Sequence, residues 1–180
     1  MIKGILLVAV IIFYAIRLRA SVLKRASKHK INIPLFVGEI LILALVVIQL
    51  TNLDPFKFKV PQVVNYLGLA FALAAAVFAS IARVSLKKNY VPAMTAAPPE
   101  SLTTGGVYKT VRHPSYLGTL LAFVGFELAL SSYFIFLSLI LLAILVKQIE
   151  KEEKMLSEVH PNKWQAFIKQ TPYKLVPFIY

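Results

Sequence analysis

Residues 116–146 read YLGTLLAFVGFELALSSYFIFLSLILLAILV, with one acid, Glu127, and no Lys or Arg. Two apolar runs, 116–130 and 133–146, flank Ser131-Ser132, and so short a link predicts an antiparallel helical hairpin. Each arm of about 15 residues would be roughly 22 Å long at 1.5 Å per residue. That is shorter than the ~30 Å hydrocarbon core of a bilayer, so the hairpin is expected to sit toward one membrane face.

Three more apolar runs precede it. Residues 1–16 are apolar apart from Lys3 and Tyr14, and Arg17, Arg19, Lys24, Arg25, Lys28 and Lys30 follow. A secretory signal carries its charges before the apolar stretch, so this order predicts a first membrane helix. Residues 31–50 make a second run of about the 20 residues a span needs. Residues 52–59 (NLDPFKFK) form a polar turn, and 61–82 a third run with Pro61 where a helix start tolerates proline. In that run Gly68, Ala72, Ala76 and Ser80 recur every fourth residue, a stripe that would let a neighbouring helix approach closely.

Composition agrees. The chain of 180 residues is 58% hydrophobic and 16% charged, yet carries a net charge of +12. A soluble domain is about 25% charged, and so apolar a chain is not disordered. With no cysteine, disulfides, thiolate metal sites and a cysteine nucleophile are excluded. The basic residues are segregated: with five spans and the N-terminus outside, 17 of the 20 fall in cytoplasmic segments, leaving Lys3, Lys57 and Lys59 outside. The positive-inside rule then predicts an all-α polytopic membrane protein, N-out and C-in. The charge is a topology signal, and no nucleic-acid partner is expected. Residues 1–83 form a three-helix membrane region and 84–180 a second region that holds the polar segments.

Residues 83–112, rich in Pro, Thr and Gly, read as a loop. With the tail from 147 to 180 it shares the cytoplasmic face. The densest group there is GVYKTVRHPSYLG, residues 106–118. Singly its residues have structural explanations: Pro114 suits a first helical turn, Arg112 can snorkel, and Tyr108 and Tyr116 suit an interface. Together they set an Arg, a His and two Tyr at a helix N-terminus, whose unpaired N–H groups favour an anionic ligand group.

In the tail, treated as a helix, Ile149, Leu156 and Val159 share a face and Glu152 lies among them. A carboxylate facing inward needs a partner, so Glu152 is the acid singled out. Arg112 is its candidate ion-pair partner, and Glu153 is expected to be a solvated neighbour. Glu127, near the outer end of the fourth helix, is a functional candidate as an acid in a membrane helix, but so close to the turn it is expected to reach water.

The run SLTTGGVYKTVRHPSYLG, the short hairpin, EKEEKML, the later KW..F and the Pro-Tyr-x-x-x-Pro-Phe-Ile-Tyr ending resemble the isoprenylcysteine carboxyl methyltransferases. These and the related phospholipid methyltransferases are membrane enzymes using S-adenosylmethionine. The resemblance covers residues 100–180 and the five-span layout. It implies a cytoplasmic cofactor pocket formed by the 84–115 loop and the C-terminal helix, making 84–180 a catalytic region. Glu100, Ser101, Leu102 and Thr103 match the segment along the cofactor. Tyr108 matches the pocket tyrosine, His113, Pro114, Ser115 and Tyr116 the helix start, and Glu152 the tail glutamate. The family's arginine four residues before that glutamate, which meets the substrate, is Gln148 here, beside Lys147; these two and Arg112 are the substrate-side candidates.

The activity implied is methyl transfer to a lipophilic acceptor entering from the bilayer, a prenylcysteine-like acid in first place, with membrane lipids as partners and no metal. A carboxylate nucleophile needs no general base, and His113 would serve for an amine or thiol. A phospholipid or small-thiol acceptor is the nearest alternative. The sterol reductases share the Arg-His-Pro-x-Tyr stretch, so an NADPH-dependent reductase stays open, as does a non-enzymatic scaffold.

Overall fold

The computed structural model describes residues 1–17, 33–51, 56–90 and 101–180. Glu100, most of the basic run after the first helix and part of the 52–59 turn lie outside these. Six α-helices are found among the described residues: α1 (Ile2–Arg17), α2 (Ile33–Leu50), α3 (Gln62–Leu86), α4 (Pro114–Leu130), α5 (Leu137–Val159) and α6 (Pro161–Gln170). Short 3₁₀ turns occupy Lys87–Asn89, Gly106–Lys109 and Tyr133–Phe136. There is no strand among the described residues, only an isolated antiparallel bridge between Lys57 and Ser132.

Two helical stretches, Gln62–Leu86 and Tyr133–Val159, are long and apolar enough to cross a membrane; Ile2–Ala15, Ile40–Leu50 and Pro114–Leu130 are shorter apolar helices. On α5 the side chains of Leu139, Ile140 and Ile144 point away from the protein. An apolar face left outward over that length suits lipid as its solvent.

The centre is the antiparallel contact of α3 with α4. Its buried stripe on α3 is Gly68, Ala72, Ala75, Ala79 and Ala82, alternating steps of four and three where the sequence suggested steps of four only. A row of every fourth residue slips around an α-helix by about 40° per step, so Ala76 and Ser80 leave the seam. The Ser80 hydroxyl turns back to the Ala76 carbonyl at 2.8 Å. A methyl group on Gly68 would lie 2.6 Å from the Ala129 nitrogen, and one on Gly125 only 2.5 Å from the Ala72 nitrogen. One on Gly118 would lie 2.7 Å from the Ala79 methyl. Small residues on both helices bring the backbones together, as in membrane helix pairs.

Polar side chains close the far end of this pair. Ser131, in the left-handed conformation (φ 54°), caps α4, with its N–H and that of Ser132 returning to the Leu128 and Glu127 carbonyls. Asn65 of α3 donates to the Leu128 and Ala129 carbonyls at 3.2 and 3.1 Å, satisfying the helix end. Glu127 differs from expectation. It is fully buried and accepts from Gln49 Nε2 of α2 at 2.6 Å. The α2 side chain, not water, meets the carboxylate.

The last arm also differs. The run 133–146 does not end as a separate short span, because α5 continues through Lys147 to Val159. Helix-forming Lys, Gln and Glu residues follow the apolar run with no Gly or Pro to stop them. Pro161 then opens α6 after the break at His160. Val159 is exposed, so only Ile149 and Leu156 of the proposed inward face are covered. Before α4, the polar stretch is not wholly loop: α3 extends past Arg83 to Leu86.

A Gly125→Ala variant must separate α3 from α4, and overpacking of this kind costs about 1–3 kcal/mol. Its thermal midpoint in detergent should fall clearly, while Gly38→Ala, where nothing lies within 4 Å of the added methyl, should leave it nearly unchanged.

Candidate functional site

The site is assembled where the start of α4, the extension of α5 beyond the apolar run, and the tail after α6 meet. His113 is the residue before α4, and Pro114 fixes the first turn. The tail crosses this point through the main chain, as Arg112 N–H donates to the Tyr173 carbonyl and His113 N–H to that of Lys174, both at 2.9 Å. Two of the donors expected at the helix start are thereby removed: the His113 N–H is used and Pro114 has none.

Arg112 is occupied by the protein itself. Its Nε donates to Glu153 Oε1 at 2.7 Å, and one terminal nitrogen donates to the Thr171 and Pro172 carbonyls at 2.7 and 2.6 Å. The guanidinium lies over the Trp164 ring, 5.9 Å from its centroid. The carboxylate opposite Arg112 is therefore Glu153, not Glu152, and Glu153 is no solvated neighbour. It also meets His113 Nε2 at 3.2 Å and Lys174 Nζ at 3.9 Å. Burial alone would raise the Glu153 pKa, but hydrogen bonds from His113 and Arg112 and their charge outweigh it, and the net direction is downward. Arg112 reaches α5 from the side, along the tail, so the helical face does not decide which glutamate it meets.

Glu152, one residue earlier, is the more open of the two, its side chain 24% exposed against 14% for Glu153. Its Oε1 accepts from the Tyr116 hydroxyl in a short hydrogen bond and from Gln148 Nε2 at 2.9 Å. Its Oε2 faces His113 Nδ1 at 3.8 Å. The His113 and Tyr116 rings stack with centroids 5.8 Å apart. One oriented, half-open carboxylate thus lies beside an imidazole and a phenol, while its neighbour closes the framework.

Tyr108 is buried and donates to the Ala82 carbonyl at 3.2 Å. Burial, reinforced by the nearby Glu152 charge, pushes its phenol well above the usual range, while a hydrogen bond with Ser115 works the other way. It stays a neutral donor at physiological pH. Leu102 packs against the Tyr108–Trp164–Phe167 cluster. Ser101 and Thr103 are held by Asn89, whose Oδ1 accepts from the Ser101 N–H and hydroxyl at 3.2 and 3.1 Å and whose Nδ2 donates to Thr103 Oγ1 at 3.1 Å. Sequence reading did not single out Asn89; an Asn just past a helix end, where such residues bond nearby backbone, was its only signal.

Lys147 is exposed and is not brought to this cluster. Buried Arg83 is a further residue the sequence did not flag. Its guanidinium sits 4.3 Å from the Phe13 ring centroid and donates to Thr119 Oγ1 at 2.8 Å. Phe13 and Thr119 also line an apolar cavity, together with Leu6, Ala72, Phe123 and Leu141. Ala82, the residue before Arg83, accepts from the Tyr108 hydroxyl through its carbonyl, which joins the cavity's edge to the polar cluster. Among the described residues, no group of His and acids is arranged to hold a metal ion.

Apolar helices of membrane type, with an oriented carboxylate where two of them meet the tail, define an all-helical membrane protein with a polar site at a helix start. Residues 62–163 match the phospholipid methyltransferase family, and the chain belongs to that family. It is 36% identical over 81 residues to a methanethiol S-methyltransferase of Crocosphaera subtropica, covering 45% of this chain and 31% of that protein. It is also 30% identical over 82 residues to a Delta(14)-sterol reductase of Mus musculus, covering 44% of this chain and 20% of the reductase. The chain thus spans less than a third of the length of either curated relative. S-adenosylmethionine is the usual methyl donor implied by a methyltransferase family.

The two glutamates are expected to separate in effect. Glu153→Gln leaves Arg112 without its charged partner and should lower stability by about 2–3 kcal/mol, seen as a fall in thermal midpoint. Glu152→Gln should leave the midpoint nearly unchanged; an equal fall in both variants would contradict the division of roles.

Proposed function

We propose that the chain is a membrane methyltransferase that moves the methyl group of S-adenosylmethionine to a lipophilic acceptor at the membrane–cytosol boundary. The acceptor put first is a prenylcysteine-like thioether acid, methylated on its carboxylate. The observation that carries this reading is the juxtaposition of the apolar cavity with the Glu152 cluster across Arg83, Thr119 and Tyr108. The cavity wall is almost wholly apolar, with side chains from α1 through α5, as sites for lipophilic ligands are.

The donor set fits the cofactor. Glu152, already oriented by Tyr116 and Gln148, suits an ammonium or ribose hydroxyls, and His113 suits a carboxylate. Ser101, Leu102 and Thr103, braced by Asn89, would lie along it, and Tyr108, Pro114, Ser115 and Tyr116 would complete the pocket. When bound, the cofactor supplies an electrophilic methyl on a sulfonium. The chain's part is to align the acceptor at ~3–3.5 Å and to keep water from its nucleophile. No general base is assigned for a carboxylate acceptor. For a thiol or amine, His113 would accept the proton, with Glu152 and Glu153 facing its two ring nitrogens. Gln148, bonded to Glu152, and Arg83, at the cavity's edge, stand nearest to the acceptor's polar group in this reading; Arg112 acts through the framework and Lys147 through the surface.

The same proposal takes five spans, N-out and C-in, with residues 1–83 as the membrane region and 84–180 as the catalytic region. The distribution of basic residues supports it. The similarity to a methanethiol S-methyltransferase favours a small thiol as the second reading.

Incubation of purified protein with methyl-labelled S-adenosylmethionine and, separately, prenylcysteine analogues, extracted lipids and thiols tests the acceptor. Label should pass to the prenylcysteine analogue. Ala122→Trp, which fills the cavity, should raise KM for that acceptor at least tenfold, an effect of about 1.4 kcal/mol, without loss of cofactor affinity. Transfer to thiols alone, unaffected by Ala122→Trp, would overturn the lipophilic reading.

A further inference from the structure

The tail after α6 forms a closed turn whose tip is apolar and exposed. The N–H groups of Leu175 and Val176 donate to the Tyr180 carbonyl at 2.7 and 2.9 Å, and the Tyr180 N–H returns to the Val176 carbonyl at 3.0 Å. Leu175 is fully buried and anchors the base, whereas Phe178 and Ile179 at the tip are 85% and 82% exposed. Phe178 has φ 65°, a left-handed conformation that a bulky residue adopts only when its surroundings impose it. The turn thus holds a Phe and an Ile outward at a cost in backbone strain. For a surface facing water this is the wrong pair of residues.

The position of the turn says what covers them. Its base is bonded through Tyr173 and Lys174 to Arg112 and His113, directly before α4. The apolar run of that helix begins at Tyr116, roughly 5 Å further along the axis at 1.5 Å per residue. Bilayer headgroups occupy about 5–8 Å on each side of the hydrocarbon core. With the apolar run of α4 in the hydrocarbon core, the base of the turn would stand at headgroup depth. Its flank carries Tyr173, whose ring lies 5.1 Å from that of Phe178, and Lys174, which is paired with Glu153 at 3.9 Å, while exposed Lys169 lies in the last turn of α6. Aromatic rings and lysines around an apolar tip are the side chains that favour a membrane interface with anionic lipid.

We propose that the 175–180 turn is a membrane-interface anchor that inserts Phe178 and Ile179 among lipid headgroups and so holds the tail against the start of α4. This goes beyond methyl transfer and does not depend on it. The tail's main-chain bonds to residues 112 and 113, with the Arg112–Thr171 and Arg112–Pro172 bonds, make the anchor a brace for His113.

Because the chain has no cysteine, a nitroxide attached to Ile179→Cys reports this tip alone. With the full chain in vesicles containing anionic lipid, collision with oxygen should exceed collision with a water-soluble nickel chelate. A label at exposed Gln165→Cys on α6 should show the opposite, and adding Phe178→Glu to the Ile179→Cys chain should move its label toward the aqueous value. Equal nickel access at 179 and 165 would overturn the proposal. So would spin–spin broadening at 179 that vanishes on dilution with unlabelled protein, which would assign the tip to a second copy. Neither readout requires activity, so failure here is distinct from failure of the methyltransferase reading.

Discussion

The ion pair between Arg112 and Glu153 holds the polar half of this protein together. Arg112 belongs to the segment before α4, Glu153 to the extension of α5, and the remaining guanidinium bonds reach the tail at Thr171 and Pro172. Three chain segments distant in sequence meet at one planar cation whose fork geometry lysine cannot reproduce. A buried ion pair is worth little against apolar residues of the same shape, but losing one partner is costly. The pair therefore fixes the arrangement more than it adds stability. By neutralising itself internally it leaves Glu152 as the more open carboxylate.

The membrane half depends on a different constraint, the close approach of α3 and α4. Gly68, Gly118 and Gly125 face backbone atoms or alanine at distances that admit no methyl group. That contact runs toward Ala79 and Ala82, next to Arg83, and the Ala82 carbonyl accepts from Tyr108. The seam that joins the two apolar helices thus ends at the polar cluster. The apolar cavity lies along the same helices, with Thr119, one turn from Ser115, in its wall.

Much of this was legible in the sequence. The helix positions followed from apolar runs and their polar punctuation, and Gly68 and Ala72 of the third run's seam were read before its partner was known, although Ala76 and Ser80 leave it. The motif around His113 was correctly placed at a helix start. What escaped were contacts set by the path of the tail. Helical periodicity placed Glu152 inward and Glu153 outward, but that count assumes a partner packed squarely on one face. The tail lays Arg112 and Lys174 against Glu153 from the side. Glu127 was assigned to water because it stands near a helix end; Gln49, from a helix with no sequence link to it, buries it. Asn89 and Arg83 had too plain a local context to stand apart until the chain was folded around them.

The structure places a carboxylate, an imidazole and two phenols beside an apolar cavity in a chain of the phospholipid methyltransferase family, while one of its relatives is a sterol reductase. Whether the polar cluster takes a cofactor, and which one, is therefore the central question. Equilibrium titration calorimetry of the purified protein with S-adenosylmethionine and with NADPH answers it directly. Saturable binding of S-adenosylmethionine, weakened in Glu152→Gln and absent for NADPH, is the predicted result. Saturable binding of NADPH with none of S-adenosylmethionine would contradict it.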